Sequence, residues 1–252
     1  MDREAMKDHW YKLILMGNLH LAPLPNKPQH ILDLGTGAGS WCIEMGDKYP
    51  SATVIGTDLS KIQPNLIPPN VQFEIDDWDD DWTYTQKFDL VHNRFTSTAV
   101  SNWPSLARKS FEALKSGGWV EFSDLTNPPQ SDDNTIPEQS KLLEFFALLT
   151  EGCSKVGRDL HAPKKWKSVL EEAGFVNIEE RVFKVPIGGW PKDKRLKEAG
   201  VFEMETLREG LPAIGMGFFT RVLGWSPEAV DEFFKGVRGE LDNKAIHFWL
   251  QM

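Results

Sequence analysis

The spacing of apolar and polar residues changes character along this chain. From Asp2 to Leu21 charged residues are interspersed with Trp10, Leu13, Ile14 and Leu15, which predicts one amphipathic helix. Pro23, Pro25 and Pro28 end it and form a stiff connection. Short apolar runs then recur at His30–Leu34, Ala52–Thr57, Val71–Ile75, Phe88–His92 and Trp119–Phe122, each long enough for a strand. Ser40–Lys48 and Trp103–Lys115 carry helical spacing between them, and Lys115-Ser116-Gly117-Gly118 offers a helix stop. Strands alternating with helices predict βαβ units and a mostly parallel, twisted sheet.

The second half is less regular. Pro128-Pro129 to Pro137 reads as a polar loop, Glu138–Val156 as a strongly apolar helix, and Lys164–Ala173 as a helix stopped by Gly174. Val176–Val185 alternates like a strand. A helical stretch from about Asp193 to Asn243 is expected to break at Gly210-Leu211-Pro212 and at Gly224. Its last helix opens on Ser226-Pro227, a capping residue followed by proline. Ile246–Leu250 predicts a final strand, and the helical segment before it is expected to fold over the crevice as a cap.

Composition narrows the function. The 252 residues suit one large α/β domain, and a net charge of -9 argues against both nucleic-acid and anionic-membrane binding, which need a positive field. The basic clusters Lys164-Lys165-Trp166-Lys167 and Lys192-Asp193-Lys194-Arg195 are short and read as solvated faces. The two cysteines, Cys42 and Cys153, make neither a disulfide framework nor a metal-ligand spacing. Without a signal-peptide core or an apolar run of the ~20 residues that cross a membrane, a cytoplasmic or nuclear location is expected.

The chemistry concentrates at Ile31–Gly39, where a strand feeds a glycine turn that opens a helix. Gly35 and Gly37 let the backbone bend and let a ligand approach closely. The dinucleotide fingerprint places glycine at its first, third and sixth positions. Here the third glycine is fifth, and Ser40 stands sixth. Asp33, two residues before the turn, would repel a pyrophosphate and would suit an amino-acid ammonium. Asp58, at the tip of the second strand, can take both hydroxyls of a ribose, a feature shared with nicotinamide enzymes, or it can cap the next helix. Asp76-Asp77-Trp78-Asp79-Asp80-Asp81 ends the third strand, so Asp77 can accept from an adenine amino group and Trp78 can cover the ring. A divalent-metal cluster is the rival reading of these aspartates, and the β context argues against it.

With these residues in view, the sequence resembles class I, Rossmann-like S-adenosylmethionine-dependent methyltransferases, and within them the LaeA-like fungal group. The matching segments are Ile31–Gly39, Val54–Pro64, Pro68–Asp77, Phe88–Arg94, Lys115–Glu121, Val182–Lys192 and Thr220–Pro227. The resemblance implies an α/β fold with a mostly parallel seven-stranded sheet, its last strand short, an N-terminal helix and a helical cap inserted before the last strand. It implies one domain: helix and connection over 1–26, cofactor-binding core over 27–186, cap over 187–243 and final strand over 244–252. S-adenosylmethionine is the implied cofactor. Asp33, Gly35, Thr36 and Gly37 would hold its methionine end, Asp58, Leu59 and Ser60 its ribose, and Asp76, Asp77 and Trp78 its adenine. Asn93 and Arg94 would lie beneath the sulfonium.

Methyl transfer is an in-line displacement that depends on positioning. A hydroxyl acceptor also benefits from a general base. His9, His92, His161, His247 and Asp124 are candidates. His9 and His161 are preferred because their segments should border the crevice, whereas His92 belongs in a buried strand. The apolar cap, with Phe202, Met204, Leu207 and Phe218, suits an apolar small-molecule acceptor, and it suits core packing or a protein-partner or homodimer surface equally. A methyltransferase of natural products is therefore expected. A LaeA-like regulator working through protein partners and a pericyclase-like enzyme on the same fold are the alternatives.

Overall fold

The computed structural model describes residues 3–252. Strands β1 (His30–Leu34), β2 (Thr53–Asp58), β3 (Val71–Ile75), β4 (Phe88–Arg94) and β5 (Leu114–Ser123) form a parallel sheet in the order β3-β2-β1-β4-β5. Leu32 stands opposite Ile55 on one side and Val91 on the other. Successive side chains leave a strand on opposite faces. Ile31, Val54 and Leu90 accordingly pack beneath Trp41, Cys42 and Met45 of α2 (Ser40–Lys48). Leu32, Ile55 and Val91 pack with Trp103 and Leu106 of α3 (Trp103–Ala113) and against α5 (Trp166–Ala173). Both faces are covered, as a parallel sheet requires.

The expected single sheet of seven strands is instead, among the described residues, eight strands in two sheets. The second sheet is antiparallel, in the order β6-β8-β7, made from Thr126–Gln130, Phe248–Gln251 and Lys184–Ile187. The segment read as a polar loop from Pro128 thus begins inside β6, whose two ladder pairings with β8 lie at its ends and leave the prolines without a required N–H partner. The strand expected over 176–185 forms only from Lys184, where β8 supplies a partner. The first helix ends at Ile14 rather than near Leu21, since Met16 and Gly17 adopt positive φ.

This second sheet shares a separate core with α4 (Lys141–Lys155), α6 (Lys194–Gly217) and α7 (Pro227–Leu241). Helix α6 runs unbroken through Gly210-Leu211-Pro212, against expectation. Leu207 and Leu211 are buried there, and tertiary packing outweighs the local penalty. Gly215 lets α4 and α7 come close: a Cβ on it would stand 3.0 Å from Phe145 and 3.1 Å from Phe234. A π-helical turn at Phe218–Val222 ends α6, and Ser226 caps α7 through the Ala229 amide. No described helix is long and apolar enough to cross a membrane.

Helix α1 (Arg3–Ile14) lies antiparallel to α6 and joins the two halves. Arg195 donates to the Leu13 carbonyl at 2.5 Å, His9 meets Glu198 at 2.9 Å and Phe202 edge-on, and Gly210 stands beside Arg3. Within this seam Glu203 is 4% exposed and has no hydrogen-bond partner among the described residues. Burial pushes its carboxyl up to about 8, against the weak pull of Lys7. A raised carboxyl pKa means that the folded state holds a proton the unfolded chain releases, so stability falls as pH rises from about 5 to 8. Glu203→Gln should therefore gain a few kcal/mol at pH 8 and little at pH 5. Denaturant melts at the two pH values check this, and equal gains would contradict it.

Candidate functional site

The strand order of the parallel sheet reverses between β1 and β4, and the crevice at the strands' carboxyl ends beside such a switch point is where open α/β sheets take their ligands. The expected cofactor residues gather around it. Asp33, Gly35, Thr36 and Gly37 end β1, Asp58, Leu59 and Ser60 end β2, Asp76, Asp77 and Trp78 end β3, and Asn93 and Arg94 end β4.

The turn from β1 into α2 is left-handed at Gly35 (φ 74°), Gly37 (φ 57°) and Gly39 (φ 81°). A Cβ at Gly35 would stand 2.9 Å from Thr96 and 3.0 Å from Trp78, and one at Gly39 would collide with the Phe73 ring. The amides of Gly35 and Thr36 both donate to the Thr57 carbonyl at 2.9 Å, tying the turn to β2. Asp58 fixes it further, accepting from the Gly37 amide at 2.9 Å through one carboxylate oxygen and from the Ser60 amide at 2.8 Å through the other. Each oxygen keeps acceptor capacity for a second donor. Leu59 is exposed beside it, and Gln63 donates to the Gly37 carbonyl at 2.6 Å.

Asp33, expected to hold the ammonium of the methionine end, is packed against β4. It is 2% exposed, its Oδ1 meets His92 Nδ1 at 2.7 Å, and its Oδ2 faces the Cys42 thiol at 3.5 Å. Burial alone would raise its pKa, but His92, with Arg94 and the Thr36 hydrogen bond, outweighs burial and holds the carboxyl below its ordinary value. His92 in turn stacks on Trp41, with centroids 3.8 Å apart. The pair lies under the turn rather than within it.

Helix α1 closes the crevice from above. Arg94 is ion-paired with Asp8, its guanidinium lies 5.1 Å from the Tyr11 ring, and Ser40 at the start of α2 donates to the same Asp8. Burial would lower the Arg94 pKa, but Asp8, Tyr11 and Asp33 together outweigh it and the net shift is upward. Burial raises Asp8 despite Arg94. Burial, with Glu121 adding to it, pushes the Tyr11 phenol up to about 12. Glu4 reaches within 3.8 Å of a Cβ built on Gly37, and its partner Lys7, at 2.5 Å, lies over Phe95. Phe95 follows β4 with a positive φ of 56°. These α1 contacts were not legible in sequence, because a helix's partners lie far along the chain.

The acidic loop is held from below. Lys109 of α3 donates to the carbonyls of Trp78, Asp79 and Asp80 at 2.9, 2.8 and 2.7 Å, offsetting the mutual repulsion of the aspartates. Asp76 joins β2 through its amide and the Asp58 carbonyl, and Asp77 accepts from the Asp79 amide. Asn93 donates to the Leu34 carbonyl and accepts from Thr96 Oγ1 at 2.6 Å, locking β4 to the turn. Among the described residues no His, Cys, Asp or Glu group has metal-binding geometry.

The preferred histidines are not brought together. His9 is engaged with Glu198 and Phe202 on α6. His161 precedes a short 3-10 turn, its amide donates to Asp159, and its buried Nδ1 has no partner among the described residues. No hydrogen bond, ion pair or ring contact links either to the crevice residues named above. Asp124 is half-buried and accepts from the amide and hydroxyl of Ser97 at 2.8 and 2.7 Å; loss of solvent raises its pKa against those bonds.

Residues 8–180 match the family described as Methyltransferase domain. Methyltransferase pytC of Aspergillus terreus is 40% identical over 98% of this chain and 76% of its own length. Secondary metabolism regulator LAE1 of Cochliobolus heterostrophus is 37% identical over 98% of this chain and 82% of its own. Mycolic acid cyclopropane synthase complexed with S-adenosylhomocysteine shares the fold at a TM-score of 0.55 and 16% identity, over 100% of this chain and 86% of that one. A methyltransferase structure from Bacillus halodurans does so at 0.54 and 16%, over 96% and 94%. The chain belongs to the methyltransferase domain family and is an S-adenosylmethionine-dependent methyltransferase.

Proposed function

We propose that this chain methylates a small-molecule natural product, with S-adenosylmethionine held at the carboxyl ends of β1 to β4. One observation carries the placement: a turn where a Cβ at Gly35 would strike Thr96 and Trp78, beside a carboxylate already oriented by two backbone amides. Asp58 takes the ribose hydroxyls with Leu59 and Ser60 beside it. Gly35, Thr36 and Gly37 make room for the methionyl end. Asp76, Asp77 and Trp78 border the adenine. Asp33 serves through charge from beneath the turn, with His92 fixing its orientation, and Asn93 and Arg94 shape the floor near the acceptor. The cofactor, when bound, supplies an activated methyl group on a sulfonium. The protein's task is then to align the acceptor and exclude water, which α1 and the strained Phe95 are placed to do. Neither His9 nor His161 is assigned a proton-transfer role. The natural-product acceptor is supported by the likeness to pytC and to the probable methyltransferase tdiE of Emericella nidulans, 32% identical over 98% of this chain and 78% of its own length.

The likeness to LAE1 supports a second reading, a regulator acting through a protein partner. Incubation with methyl-labelled cofactor and a fungal secondary-metabolite extract separates the two. Label in small molecules supports the first, and a stable protein complex without such label supports the second. Replacement of Asp58 by Ala removes a charged acceptor of ~1.5–3 kcal/mol and should weaken S-adenosylhomocysteine binding about 10–150-fold by calorimetry. Unchanged affinity would contradict the ribose assignment. Replacement of Asp8 by Ala leaves the Arg94 charge without its carboxylate and should cost about 3 kcal/mol of folding stability. The double variant with Arg94→Met should recover most of that loss, and a double variant no more stable than Asp8→Ala alone would contradict the pairing.

A further inference from the structure

Helix α1 sets a stripe of polar side chains over the crevice. Glu4 lies one turn before Lys7 and Asp8, and Tyr11 follows a turn later, so all four share a face. Asp8 is fixed by Arg94 at the end of β4 and by Ser40 at the start of α2. That pins the helix on both sides of the crevice and sets Glu4 above the glycine turn. Apart from its chain neighbours, a Cβ built on Gly37 would meet a single atom within 4 Å among the described residues: Glu4 Oε2, at 3.8 Å. The left-handed backbone at Gly37 therefore faces a gap rimmed by a carboxylate.

The other carboxylates around the turn are committed. Asp33 is buried beneath it, with Oδ1 on His92 and Oδ2 facing Cys42. Asp8 serves Arg94 and Ser40. Asp58 spends one oxygen on the Gly37 amide and one on the Ser60 amide, at the tip of β2. Glu4 is paired with cations of its own helix, Arg3 on Oε1 and Lys7 on Oε2, each at 2.5 Å, and its side chain is 26% exposed. Burial would raise its pKa, but Lys7, Arg3 and Arg94 outweigh burial and hold the carboxyl below its ordinary value. It is thus charged at neutral pH. A partly solvated pair on adjacent turns is weakly held, so it can separate for a ligand that offers matching charges.

The amino-acid end of the cofactor carries an ammonium and a carboxylate on one carbon. Glu4 and Lys7 present the opposite charges at one gap, beside the stretch of backbone where that end is placed. We infer that the Glu4–Lys7 pair receives the amino-acid end of the cofactor, Glu4 accepting from its ammonium and Lys7 donating to its carboxylate. This rests on the cofactor placement proposed above and deepens it: the direct ammonium contact comes from α1, and Asp33 acts from beneath the turn through charge.

Calorimetry with three ligands tests it: S-adenosylhomocysteine, its analogue without the amino group, and its analogue without the carboxylate. Each is titrated into the unaltered chain, Glu4→Met and Lys7→Met. Removing the amino group should weaken binding to the unaltered chain at least about tenfold, but to Glu4→Met no more than about threefold. Removing the carboxylate should show the same contrast between the unaltered chain and Lys7→Met. A purely structural role would shift all three ligands together and leave these ratios as they were. Glu4→Gln, which keeps the shape and loses the charge, answers the same question where Glu4→Met fails to fold. Unchanged ratios in either variant overturn the inference. So does an unaltered chain that binds S-adenosylhomocysteine and the deaminated analogue alike, or an amino-group preference that Asp33→Asn abolishes and Glu4→Met leaves intact. Those results leave the cofactor placement standing, whereas an unaltered chain that binds none of the three ligands overturns the placement and the inference together.

Discussion

The structure depends on a backbone constraint: β1 must become α2 within five residues, and three of them, Gly35, Gly37 and Gly39, turn left-handed. Any other residue would lose roughly 1–2 kcal/mol at each such position before counting collisions. The collisions decide more, because Phe73 fills the space a Cβ on Gly39 would need, and Trp78 and Thr96 close on Gly35. Side chains from β3, the acidic loop and the segment after β4 therefore converge on one bare stretch of backbone. The Asp58 carboxylate is oriented by that stretch, through Gly37, and so inherits its geometry.

Two buried ionic contacts complete the arrangement. Asp33 and His92 lock β1 to β4 beneath the turn, and Asp8 and Arg94 hold α1 above it. Such pairs give little net stability over apolar residues, but breaking one leaves a buried charge without its partner. Their effect here is placement: α1 spans from Ser40 on one side of the crevice to Arg94 on the other. The same helix packs along α6, so the helices beside the second sheet and the glycine turn share one support.

The parallel core was legible because its signals are local. His30–Leu34 and Val71–Ile75 match their strands residue for residue, and the glycine turn announces itself in Gly35-Thr36-Gly37-Ala38-Gly39. What escaped depends on partners distant in sequence. Thr126–Gln130 is a strand only because β8 lies beside it, and 176–182 fails to be one because no strand pairs with it among the described residues. Pro212 sits inside a helix because Leu207 and Leu211 are buried around it. Asp33 reads only as a partner for an ammonium, since nothing in the chain announces that His92, 59 residues later, would stand beside it.

The most direct test of the cofactor placement is a crystal structure of this chain grown with S-adenosylhomocysteine. The homocysteine moiety should lie against Gly35–Gly37, the sugar hydroxyls within hydrogen-bond reach of the second strand's terminal carboxylate, and Trp78 along the adenine. Density for the compound elsewhere, or with its sugar turned away from β2, would contradict that placement.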